Sequence, residues 1–112
     1  MDTIITKKPW GKFVCFTKNE LSTVKLLYIN KGEELSLQYH KHREEFWKVI
    51  NGTPEITLGD KVFEAQEGEE LIIPVETNHC ISAKNDDVVV LEISKGQFDE
   101  DDIIRIKDKY NR

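Results

Sequence analysis

Apolar and polar residues alternate in short runs along the whole chain, and turn-forming residues separate the runs. Alternation with period two puts successive side chains on opposite faces of a strand, so each run predicts a half-buried β-strand. Residues 11–16 and 23–29 form the first two. Residues 35–40 follow the turn at 30–32, and residues 46–50 are dense in apolar side chains. Asn51-Gly52 then marks a turn of the hairpin-forming type. Residues 55–58 and 61–65 flank Gly59-Asp60 as a second hairpin. Residues 71–73 stop at Pro74, and residues 80–83 and 88–93 flank the polar turn 84–87. About nine short strands at this spacing predict an all-β sandwich or barrel. Only residues 98–104 carry helical character, enough for one short C-terminal helical turn.

The 112 residues suit one domain, 1–112, and no linker, low-complexity tract or fixed-period repeat divides them. A net charge of −5 without a basic stripe argues against a nucleic-acid partner. No apolar run approaches the ~20 residues that span a bilayer, and residues 1–8 lack the apolar core of a signal peptide. Cys15 and Cys80 are far apart and form no CxxC pair, which fits free thiols in a reducing cytoplasm. His79 and Cys80 are adjacent, so on a strand they face opposite ways and do not share one ion.

Candidate chemistry concentrates at His40, His42 and His79, each beside a strand end and close to carboxylates. Imidazole and carboxylate together suit first-row divalent metals. Taken alone, the residues leave two pairings open: His40 with His42, or Gln38 with His40 on one strand face.

The spacing resembles the two motifs of the cupin superfamily. Gly32 is followed after five residues by Gln38, then come His40, Glu45 and Gly52 at the family's intervals. Gly68, Pro74 and His79 fit the second motif, with Ala83 standing where the family has asparagine. The resemblance implies a double-stranded β-helix, or jelly-roll barrel. It also implies one divalent metal held by Gln38, His40, Glu45 and His79, with Zn²⁺ placed first and Mn²⁺, Fe²⁺, Co²⁺ or Ni²⁺ also compatible with the donors.

A narrower resemblance covers nearly the whole chain. Leu35-Ser-Leu-Gln-Tyr-His-Lys-His-Arg43, with Glu45, Trp47 and Gly52-Thr53, is similar to the C-terminal cupin domain of type II phosphomannose isomerases. Pro9-Trp10-Gly11 and the endings around Asp102-Ile103-Ile104-Arg105 and Asp108-Lys109-Tyr110 agree with it. The family's histidine after the ligand glutamate is Phe46 here, which removes a candidate proton carrier or substrate contact. The resemblance implies interconversion of mannose-6-phosphate and fructose-6-phosphate through a cis-enediol, with a phosphosugar as the small-molecule partner. His42 is then the first candidate for general base and Glu44 the second. Arg43 is a catalytic-site cation and phosphate anchor, backed by Arg112 and Lys8. Family habit implies a homodimer. Two other readings fit the same residues: a different metal-dependent cupin enzyme, such as a dioxygenase, or a non-catalytic metal- or sugar-binding cupin.

Overall fold

The computed structural model describes residues 3–111. Eleven strands run through them: β1 Ile4–Lys8, β2 Gly11–Cys15, β3 Ser22–Ile29, β4 Leu37–Tyr39, β5 Glu45–Asn51, β6 Glu55–Leu58, β7 Lys61–Glu64, β8 Glu70–Ile73, β9 His79–Ser82, β10 Val88–Lys95 and β11 Ile104–Lys107. All pairings are antiparallel. One sheet has the order β3-β10-β5-β8, and the facing sheet has the order β11-β4-β9-β6-β7. From β3 onward the chain passes back and forth between the two sheets, with only the β6–β7 hairpin staying in one. This is the expected all-β jelly-roll barrel. No helix of the described residues is long and apolar enough to cross a membrane.

Strand alternation explains the core. Trp47 and Val49 on β5, Val88 and Val90 on β10, and Ile73 on β8 point inward from one sheet. Ile56 on β6 and Ile81 on β9 meet them from the other. Each such side chain contributes roughly 1.5–3 kcal/mol on full burial. Polar inward residues gather at the opposite end and form the site described below.

Three expectations change. Residues 98–104 contain no helix. Asp99 accepts from the Asp102 amide at 3.1 Å and its side chain accepts from Asp101 N at 2.9 Å, which closes one turn only. The β-branched Ile103-Ile104 then enters β11, where Ile104 pairs with Tyr39. Asn51-Gly52 is a corner between sheets and not a hairpin turn, because β5 and β6 lie in different sheets. Gly52 is required there: φ is +84°, and a Cβ would meet Asp87 O at 2.4 Å. Gly59-Asp60 does turn a hairpin, with Leu58 paired to Lys61. Finally, residues 4–8 form strand β1 with β2 as a separate two-stranded sheet, which the pattern of the chain did not announce.

Candidate metal centre

His40 follows β4, Glu45 opens β5 and His79 opens β9, so three strand ends bring their side chains to one point inside the barrel. One potential ligand atom from each lies within 4.8 Å of the others. His40 Nε2 and His79 Nε2 are each 3.5 Å from Glu45 Oε1. The histidine and glutamate side chains are only 1–3% exposed.

The surroundings aim these atoms. His40 Nδ1 lies 2.6 Å from Asp102 O, and His79 Nδ1 lies 2.9 Å from Thr77 O. A carbonyl only accepts, so both rings carry their proton on Nδ1 and turn the Nε2 lone pair inward. A hydrogen bond of this kind from the far nitrogen is the usual orienting device of metal-bound imidazole. Among the described residues, Glu45 Oε1 and His79 Nε2 are buried without any hydrogen-bond partner. Two unpartnered buried polar atoms are costly, and their convergence with His40 Nε2 on one point fits a divalent cation. The electrostatics agree. Burial opposes ionisation of Glu45, but His40, His79 and Arg43 outweigh it and hold the carboxyl below its usual range. Burial holds His79 below the ordinary histidine value, which keeps its lone pair available.

Gln38 pairs with His79 across β4 and β9 and lines the same cavity of about 190 Å³. Its Oε1 accepts a hydrogen bond from Ser36 Oγ at 2.8 Å. Arg43 lies at the cavity edge. Its Nε donates to Glu45 Oε2 at 3.2 Å, Nη1 to Asp99 O at 3.0 Å, and Nη2 faces His40 Nε2 at 3.4 Å. Its guanidinium stacks 4.4 Å from the centre of Phe98.

Other expected residues fall elsewhere. His42 is exposed and lines an adjoining cleft with Arg43, Phe98, Asp99 and Asp102, since its backbone N–H is held by Asp102 Oδ2 at 3.0 Å. Glu44 is exposed, because it precedes the inward Glu45. Lys8 ends β1 in the separate hairpin and is not among the residues lining the cavity. Arg112 lies outside the described residues. Phe46 faces outward between inward Glu45 and Trp47, with its ring centre 5.4 Å from that of Phe16. The departure at position 46 therefore leaves the cavity wall unchanged.

Sequence reasoning missed four charged cavity residues: Glu92, Lys25, Arg105 and Glu100, the last paired with Lys25 at 3.7 Å. Alternation held the signal. Glu92 is the lone carboxylate in the apolar run of β10, in phase with Val88 and Val90, and Lys25 is in phase with Leu27 and Ile29. Glu92 Oε2 accepts from Trp47 Nε1 at 3.1 Å, and the Trp47 ring stands edge-on to His79 at 5.4 Å. Burial, reinforced by the charge of Glu45, pushes the Glu92 carboxyl up to about 7 against the pull of the Trp47 N–H.

Known proteins place this geometry in context. The profile of the family described as Mannose-6-phosphate isomerase C-terminal matches residues 3–108. Mannose-1-phosphate guanylyltransferase 2 of Escherichia coli O157:H7 is 39% identical over 107 residues, covering 92% of this chain and 22% of that protein. The chain thus spans about a fifth of the length of the curated relatives it matches. Among solved structures, a cupin protein from Bacteroides fragilis superposes with a TM-score of 0.61 at 23% identity, over 70% of each chain. Oxalate decarboxylase from Bacillus subtilis does so at 0.70 and 22%, over 78% of this chain and 24% of that one. At these identities the structures show the shared cupin barrel and nothing finer.

Proposed function

Since the chain belongs to the Mannose-6-phosphate isomerase C-terminal family of cupins, we propose that it is a metal-dependent aldose–ketose isomerase interconverting mannose-6-phosphate and fructose-6-phosphate through a cis-enediol. The observation that carries this reading is the buried triad of His40, Glu45 and His79, with both Nδ1 atoms tethered and two inward atoms unpartnered. These three residues, with the Gln38 amide oxygen, would hold one divalent ion. The nitrogen and oxygen donors favour Zn²⁺ and also suit Mn²⁺, Fe²⁺, Co²⁺ or Ni²⁺. When bound, the ion supplies positive charge beside the substrate oxygens, where enediolate charge develops.

The chain's own groups supply the rest. Glu92 opens onto the cavity and His42 onto the outer cleft, so this reading favours Glu92 as proton carrier over His42 and Glu44. Its carboxylate takes the C2 proton of the aldose and its acid form returns that proton to C1. O1 gains a proton as O2 loses one, so the isomerisation balances. Arg43, Lys25 and Arg105 line the cavity as cations for the phosphate. Phosphate binding there supports the proton transfer by fixing C1 and C2 against the carboxylate.

The test is a coupled assay of mannose-6-phosphate conversion by protein reloaded separately with Zn²⁺, Mn²⁺, Co²⁺, Fe²⁺ and Ni²⁺, with metal content measured in parallel. Turnover with one metal, lost in His40→Ala and Glu45→Ala proteins of unchanged circular dichroism, supports the isomerase. Stoichiometric metal without turnover refutes it for this substrate and leaves another cupin chemistry or a binding role.

A further inference from the structure

Of the three residues that converge in the barrel, His40 has the weakest support from the sheets. Glu45 and His79 open strands of their own, whereas His40 lies just past β4. β4 is three residues long, and among the described residues it meets β9 at the pair Gln38 with His79. Residues 41–44 belong to no strand. The direction of the His40 ring is therefore set by something other than a strand ladder.

The hold comes from Asp102, 62 positions later in the chain. This one residue touches four successive residues. Its main-chain carbonyl accepts from His40 Nδ1 at 2.6 Å and from Arg43 Nη1 at 3.4 Å. Its carboxylate accepts from Lys41 N at 2.9 Å with one oxygen and from His42 N at 3.0 Å with the other. On the other side, Glu76 N–H binds His40 O at 2.7 Å. His40 is thus gripped between the loop before β9 and the segment before β11.

The two groups of Asp102 have different tasks. The carbonyl fixes the tautomer and the rotation of the imidazole. The carboxylate fixes where that carbonyl stands, because one oxygen on each of two successive amides resists sliding in either direction along the turn. The segment is further tied through Asp99, whose carbonyl accepts from Asp102 N at 3.1 Å and from Arg43 Nη1 at 3.0 Å. Without the carboxylate, the carbonyl is free to leave Nδ1. The ring can then turn, or carry its proton on Nε2, and a protonated Nε2 has no lone pair for a metal. Asp102 itself is not among the groups whose atoms converge in the cavity.

We propose that Asp102 is a positioning residue of the metal centre: its carboxylate clips the turn after β4 and so holds its own carbonyl against His40 in the orientation that metal binding needs. This role rests on the metal part of the proposed function and not on its substrate.

Titration of the chelator-stripped full chain with Co²⁺ tests it, since the visible bands of Co²⁺ report the number and arrangement of its ligands. Asp102→Ala is expected to bind Co²⁺ about 10–100-fold more weakly than the parent, with altered visible bands and unchanged circular dichroism. Gly52→Ala, just past the end of β5 remote from Glu45, is the control for lost stability alone and is expected to keep the parent's affinity and bands. Should Asp102→Ala fail to fold cooperatively, Asp102→Asn carries the same test. It keeps the shape and one acceptor oxygen but sets an N–H₂ group against the other amide, with a loss of about 10-fold expected. Parental affinity and bands in the Asp102 variants would overturn the proposal while leaving the metal reading intact. An equal loss in Gly52→Ala would do the same, by reducing the effect to stability. A parent that takes up no Co²⁺ would overturn the metal reading and this proposal with it.

Discussion

Replacing Glu92 with Gln should make the metal-free protein more stable and, if Glu92 carries the proton, nearly inactive when metal is restored. The carboxyl is buried, and burial with the nearby Glu45 charge raises it from 4.5 to about 7. A carboxyl raised in the folded state binds more protons folded than unfolded between these values. Its contribution is therefore fully present below pH 4.5 and is lost as pH rises to 7. The shift corresponds to about 3 kcal/mol at 1.36 kcal/mol per unit. Glutamine keeps an oxygen for Trp47 Nε1 and carries no charge to desolvate. The stability of Glu92→Gln relative to the parent should thus rise between pH 4.5 and 7 and level off above, reaching about 2–3 kcal/mol, or roughly 10 °C in Tm. Thermal unfolding in chelator across that pH range measures it. Loss of a positioned proton carrier should lower kcat about 10²–10⁴-fold with metal content unchanged. A variant no more stable than the parent at pH 8 would refute the buried charge. Full turnover in the variant would refute its catalytic role while leaving the isomerase reading intact.

His79→Ala should abolish stoichiometric Zn²⁺ binding while the apo protein unfolds cooperatively, and equilibrium dialysis with metal analysis checks this. In the parent, bound metal should be released only below the ordinary histidine value of 6.5, because burial holds His79 down and the hydrogen bond and charges around Glu45 hold its carboxyl down; titration of metal content against pH reads the midpoint. Gly52→Ala should lower the unfolding free energy read from a urea titration by about 2 kcal/mol or more, since left-handed backbone alone costs roughly 1–2 kcal/mol and the new Cβ collides with Asp87 O. Cys80, half-buried and pushed up by burial to about 11 from 9.0, should hold about 100-fold less thiolate than an ordinary thiol; timed labelling should show it reacting far more slowly in the native than in the urea-unfolded protein.

The barrel was legible because its strands obey one rule. Short apolar or alternating runs recur from Thr23 to Ile93, and turn residues mark nearly every boundary, so local pattern and global topology agree. What escaped notice depends on partners distant in sequence. β11 exists because Ile104 and Arg105 pair with Tyr39 and Gln38, more than sixty residues earlier, and no local pattern distinguishes that from one helical turn. Among the described residues β1 pairs with β2 alone, and its basic, weakly alternating residues read as a solvated end. The Asn51-Gly52 signal correctly announced a left-handed glycine but not its topology, because a corner and a hairpin demand the same backbone.

The site shows the same division. Ligand spacing is a short-range property, and His40, Glu45 and His79 could be named from it because each sits at a strand end with an inward phase. The cavity wall is a long-range property. Glu92 becomes a wall residue only because β10 pairs with β5 and sets it opposite Trp47, and Lys25 only because β3 pairs with β10. Nearness in sequence misleads in the other direction: His42 and Glu44 flank two ligands, yet the turn after β4 and the alternation of β5 expose both. The same alternation decides Phe46. Facing outward onto Phe16, it changes the packing of the N-terminal segment and leaves the inner face of the barrel as the ligand spacing implied. For this fold, an inward phase on a paired strand is a stronger guide to chemistry than adjacency to a ligand. It can be read from sequence once strand order is known: a charged residue in phase with the apolar core of a central strand has water on neither side, and a metal cavity supplies a physical reason for it to be there.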